Sequence, residues 1–110
     1  MMANRHRGEI SAMLDGEERV LCLTLGALAE LETAFEVENL GSLLARFSSG
    51  NLAARDLLRI LTAGLRGGGA TVTEADVARM KAEGGVTGFA KIASHLLTVT
   101  FGAKETRPNP

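Results

Sequence analysis

Residues 64–69 read Gly-Leu-Arg-Gly-Gly-Gly, a run of glycines around one basic side chain. Such a run cradles a phosphate when it follows a strand and opens a helix through Lys-Ser/Thr, because its backbone N–H groups then converge on the anion. Here the preceding segment, residues 53–66, has helical rather than strand periodicity, and Ala70-Thr71-Val72-Thr73 follows with no lysine. A dinucleotide fingerprint fails on the same ground, since no strand–helix–strand unit surrounds the glycines. The reading left is a helix stop followed by a flexible connection, a use that glycine's tolerance of positive φ supports.

Other reactive side chains are sparse. His6 falls in the polar N-terminal stretch, and His95 lies four residues after Lys91 on the flank of the last helical segment. Neither has a Cys, Asp or Glu at a ligand or triad spacing. Cys22 is the single cysteine and alternates with Leu21 and Leu23. That pattern favours a buried structural thiol over a nucleophile. One cysteine makes no intrachain disulfide, and a reducing compartment is the simple inference. Glu30, Glu32, Glu36 and Glu38 recur along or beside one helix face, the pattern of a solvated face rather than of paired catalytic carboxylates. No catalytic group, metal site or cofactor is expected.

Arg55, Arg59 and Arg66 fall at helical spacings and share a face of their segment. They form either a solvent face pairing with the acidic first helix or a contact surface for an acidic partner. As a DNA footprint they are small, with Asp56 beside them and no aromatic interleaving. The net charge is −1, from 12 basic and 13 acidic residues, so bulk attraction to nucleic acid or to an anionic membrane is not expected. The apolar runs are all shorter than the roughly 18–20 residues that span a bilayer, and Met1–Ile10 lacks the apolar core of a secretory leader. The expected location is the cytoplasm.

The elements that must position these residues follow from periodicity. The 110 residues are 45% hydrophobic and 23% charged, the profile of one soluble domain. With four Phe and no Trp or Tyr, the core is built from Leu, Ala, Val and Ile. Residues 9–23 alternate as two strands around the turn signal Asp15-Gly16. A two-residue turn would set Ala12 opposite Arg19, with charge on the apolar face. A four-residue turn over Asp15–Glu18 pairs Ala12 with Leu21 and Ile10 with Leu23, and is preferred.

Five helices then supply the covering layer that a hairpin needs. The first is capped by Thr24 and buries Leu25, Leu28, Leu31 and Phe35. A short second helix is capped by Ser42 and ended by Gly50. The third has Asn51 as its N-cap, Leu57, Leu58, Leu61 and Leu65 as its buried side, and Gly64 as a weak point costing up to about 1 kcal/mol. The fourth is capped by Thr73, carries Glu74 and Asp76 in its first turn and ends at Gly84-Gly85. The last presents Phe89, Ile92, Leu96 and Val99. The expectation is an α+β, mostly helical fold: residues 1–8 a flexible N-terminus, 9–101 a single domain and 102–110 a flexible tail.

Three segments in order, Asn4–Ile10, Leu23–Phe35 and Leu57–Gly69, resemble the small tail proteins of bacterial gene transfer agents and related siphophage-like elements. These are grouped with phage tail assembly chaperones and are sometimes labelled tail tube proteins. The resemblance covers about residues 4–101. Its pattern positions are Gly26, Leu28, Glu32, Gly64, Leu65, Arg66, Gly67 and Gly69, none of them catalytic.

It implies a non-enzymatic role in tail morphogenesis. The partners would be a tape measure protein and a tail tube protein, met in the cytoplasm of the producing bacterium. Apolar surface on the third and last helices would shield helical segments of the tape measure protein, with Arg55, Arg59, Leu65, Arg66, Gly67 and Gly68 as the partner-binding set. The glycine run would be a hinge that lets the last two helices move. Self-association is the other way to cover such a surface. The competing role is a structural tube or connector subunit, and a small DNA-binding regulator comes after both.

Overall fold

The computed structural model describes residues 3–4, 7–48 and 52–102. Strands β1 (Glu9–Leu14) and β2 (Glu17–Cys22) form an antiparallel hairpin. Five helices follow: α1 (Leu25–Ala34), α2 (Leu40–Ser48), α3 (Ala54–Gly67), α4 (Glu74–Ala78) and α5 (Gly85–Phe101). The fold is α+β and mostly helical. Helix α3 is the axis, packing against β2, α1, α4 and α5.

The hairpin turns on two residues, not four. Its register pairs Ile10 with Leu21, Ala12 with Arg19 and Leu14 with Glu17. Asp15 and Gly16 both take positive φ, 56° and 76°, the tight turn whose twist matches the strands. The charge this places on the inner face is accommodated near the turn. Arg19 Nη2 donates to Glu17 Oε1 at 3.1 Å on the same strand. Ile10, Leu14 and Leu21 stay buried, so local turn chemistry outweighed the apolar face that favoured a longer loop.

Thr24 caps α1 as expected, its hydroxyl accepting from the Ala27 N–H at 3.0 Å. Leu28, Leu31 and Phe35 are buried, but Leu25 is 79% exposed. At 100° per residue Leu25 lies roughly 100° from the centre of the buried stripe, and Ala27 takes its place there. Helix α2 is capped by Asn39, whose Oδ1 accepts from the Ser42 N–H at 2.8 Å, so Ser42 is the capped residue and not the cap. Gly50 and Asn51 lie outside the described residues. At the start of α3 the Asp56 carboxylate accepts from the Ala53 N–H at 2.9 Å.

Thr73 and Asp76 form a reciprocal capping box on α4. That helix stops at Ala78 rather than at Gly84-Gly85. The hairpin turn intervenes. The Asp15 N–H donates to the Lys81 carbonyl at 2.8 Å, and the Lys81 N–H donates back to Asp15 Oδ1 at 2.9 Å. These bonds hold the chain out of helix at Lys81. Gly84, with φ 90°, then serves as the entry to α5.

Candidate contact surface

The glycine run is a seat for the hairpin. A Cβ on Gly67 would overlap the backbone carbonyl oxygen of Cys22, and one on Gly68 would overlap that of Val20. The last turn of α3 therefore lies directly against the β2 backbone, an approach open only to residues without side chains. Gly64 belongs to the same packing, since its added Cβ would stand 2.6 Å from Leu96 Cδ2 and 3.3 Å from Leu21 Cδ2. The expected weak point is where α3, α5 and β2 close together. The expected hinge shrinks to Gly69, which has φ 105° and nothing within 4 Å of a Cβ. Leu65 is wholly buried, and so supports a surface without lining one.

Arg55, Arg59 and Arg66 do not present one free face. Arg59 Nη1 donates to the Ala34 carbonyl at 3.0 Å, satisfying a backbone acceptor at the end of α1. Arg66 Nε donates to the Val72 carbonyl at 2.8 Å, and its Nη1 stands 3.8 Å from Glu30 Oε1. Both act as braces across α3, α1 and the loop before α4. Arg55 is exposed on the first turn and remains available to a partner. Pairing with the acidic first helix, the milder of the two expectations, is seen at Glu30 alone of the arginine contacts described.

A second brace carried no signal in the spacing. The Phe35 and Phe47 rings meet edge to face, with centroids 5.3 Å apart. The guanidinium of Arg46 lies 5.0 Å from the Phe35 centroid and that of Arg59 lies 5.5 Å from it. Arg46 Nη2 also reaches Asp56 Oδ1 at 3.3 Å. Asp56 is 5% exposed, so its charge is tolerable because it is both paired and bonded to the Ala53 N–H. These contacts fasten α2 to α1 and to the start of α3. With the N-cap at Ala53 rather than at the expected Asn51, Asp56 falls at the third position of α3, where a carboxylate reaches back to the cap.

The open concave feature is apolar. A groove of about 220 Å³ runs between α3, α4 and the first turns of α5. Leu57, Leu58 and Leu61 form its floor, Val77 and Met80 one wall, Val86 and Phe89 the other. Val86 is 71% exposed at the mouth. The apolar surface expected on the third and last helices is therefore present, with α4 as an additional wall. The α4 and Met80 contribution was hidden because that segment reads as continuous helix with a charged face.

Burial, then the Glu9 carboxylate, raise the Cys22 thiol above its ordinary range, opposed by Arg7. Its Sγ–H faces the Arg7 carbonyl at 3.6 Å. Hydrogen bonds from the Thr73 backbone and hydroxyl hold the Asp76 carboxyl below the usual range, with a smaller contribution from Arg79. Among the described residues no group of three His, Cys, Asp or Glu is placed to hold a metal. No described helix is long and apolar enough to cross a membrane.

Comparison with curated proteins gives no match, and neither does comparison with solved structures. A family model described as phage tail tube protein, GTA-gp10, matches residues 7–103. That span runs from the residues leading into β1 to just beyond α5 and takes in the hairpin seat, both braces and the groove. The chain belongs to this phage tail tube protein family.

Proposed function

We propose that the protein is a non-enzymatic, structural component of the tail of a phage-like gene transfer particle, working at the tail tube by protein contact. The observation that carries this reading is the family match across residues 7–103. The open apolar groove supports it, because contact proteins use such surfaces to bury a neighbour. The test is copy number. Purified tails are digested and the chain quantified by mass spectrometry against the tape measure protein. Many copies per tail are expected. A chain absent from finished tails overturns the structural role.

One observation favours a second reading, a tail assembly chaperone. The described sheet has two strands, whereas a tube wall built from strands needs a larger one. In this reading the groove shields an apolar helical segment of the tape measure protein before the tube polymerises. Co-expression with that protein, followed by pull-down and light scattering, tests it. A soluble complex whose small partner is missing from finished tails selects the chaperone.

A further inference from the structure

Residues 71–81, which carry α4 across α3, are held at few points. Val77 is the buried side chain of this segment, at 3% exposure, with Val72 and Met80 half-buried against the core. Residues 73–75 and 78–79 are exposed. The capping box of Thr73 and Asp76 and the Arg79–Asp76 ion pair lie within the segment. They give α4 its shape and do not tie it to the rest of the chain.

The ties come from outside, and both grip backbone. At the entry, Arg66 Nε donates to the Val72 carbonyl at 2.8 Å. At the exit, Asp15 accepts the Lys81 N–H on its carboxylate at 2.9 Å and gives its own N–H to the Lys81 carbonyl at 2.8 Å. On either side the chain is fixed. The Ala70 N–H donates to the Leu65 carbonyl at 2.9 Å and closes the end of α3. The Glu83 carbonyl lies so close to Gly88 that a Cβ there would overlap it, which anchors the exit on α5. The segment is a strap slung between two anchored points.

We propose that residues 71–81 open as one unit while the hairpin, α1, α3 and α5 stay folded. Val77 leaves α3, and the grips of Arg66 and Asp15 release together. A five-residue helix does not hold itself together off its support, so the strap is either down or melted. Opening takes the α4 wall from the groove and uncovers Leu57 and Leu61, which are 7% and 2% exposed while the strap is down. The groove of about 220 Å³ is thus its closed form. Arg66 and Asp15 are positioning residues that set how often the strap opens, as elements that move are drawn from the less stable parts of a fold.

The test is native-state hydrogen exchange of the full chain, read amide by amide by NMR at urea concentrations below the unfolding transition. The Asp76 amide, bonded to Thr73 Oγ1, reports the entry half and the Lys81 amide the exit half. The Leu61 amide reports the helix beneath. Asp76 and Lys81 should share one opening, about a hundredfold or more frequent than that of Leu61. It should depend less on urea, because less surface is exposed.

Two variants then act from opposite ends. Asp15→Ala should speed exchange at Asp76, and Arg66→Ala should speed it at Lys81, each by about five- to tenfold for the loss of a hydrogen bond. A purely local role would move the near amide alone. Lys81→Ala, whose side chain takes no part in the grip, should leave both amides unchanged. Strap amides that match Leu61 in rate and urea dependence overturn the proposal, since the segment then opens only with the whole chain. A response confined to the near end overturns it too. The wild-type urea series decides even where a variant fails to fold. Because exchange is read on the isolated chain, the outcome is independent of the tail role.

Discussion

Gly67 lies against the backbone carbonyl of Cys22, so closely that a single added carbon would overlap its oxygen. This contact joins the end of α3 to the end of β2 and fixes the hairpin on the helical layer. Gly67→Ala must push backbone from backbone, since no flexible side chain is there to yield. A loss of about 2–3 kcal/mol or more is expected by urea unfolding. Gly26→Ala is the control. It lies in the first turn of α1, where the nearest atom to an added Cβ is 3.9 Å away, and a gain of about 0.5–1 kcal/mol is expected. Equal effects at the two sites would mean that α3 does not rest on β2 in this way.

The arginines should separate by role. Arg59→Ala removes a hydrogen bond to the Ala34 carbonyl and a stack on Phe35, and should destabilise by about 1–2 kcal/mol. Arg55→Ala, at an exposed position, should stay within about 0.5 kcal/mol. Thermal unfolding of both variants checks this. Any loss of partner binding in Arg55→Ala would then report contact and not folding.

Asp15 grips Lys81 through backbone groups alone on the lysine's side. Lys81→Ala should therefore leave stability within about 0.5 kcal/mol. Asp15→Ala loses a carboxylate acceptor and puts a residue ill suited to positive φ at the turn, so a cost of about 1–2 kcal/mol is expected. Asp15→Asn keeps an acceptor oxygen and tolerates the left-handed conformation, and should recover most of that loss. Amide hydrogen exchange at Lys81 gives a direct readout, fast in Asp15→Ala and slow in the other two.

Two groups set the direction of pH effects. The folded chain holds Asp76 below its ordinary carboxyl range. Its contribution is present above the unfolded carboxyl pKa and is lost as pH falls through the lower folded value. Asp76→Asn should flatten that acid limb. Cys22 is raised, so its contribution is present below the unfolded thiol pKa and is lost as pH rises through the folded value. Alkylation of the native thiol should turn on at higher pH than in the urea-unfolded chain. Coincident titration curves would contradict the cause assigned to the shift.

Much of the fold was legible in the sequence because period and caps are local. Thr24, Thr73 and the alternation around Asp15-Gly16 mark their elements without help from elsewhere. What misled was tertiary. The face argument against a two-residue turn left out that Arg19 and Glu17 neutralise each other on one strand. Gly64 read as a flaw in a helix because Leu96 and Leu21 are far away in sequence. The early end of α4 depends on Asp15, which lies 66 residues from Lys81.

The contact surface was legible only in outline. The leucine row of α3 announced its floor. Arg59 and Arg66 looked free for a partner because the carbonyls they hold, at Ala34 and Val72, leave no trace in a residue pattern.

The seating of the hairpin also sets an order of events at the ribosome. The hairpin is made well before the residues that cover it, from Gly64 to Leu96. A two-stranded hairpin is marginal alone, and the gap between Cys22 and Leu96 corresponds to roughly 4–15 s of synthesis at bacterial-type rates. For that interval the nascent chain carries an unpaired strand edge. Stable structure waits for Leu96, so the hairpin and its cover fold together as one unit, and a ribosome-bound nascent chain stopped at Gly69 should remain open to protease across the hairpin.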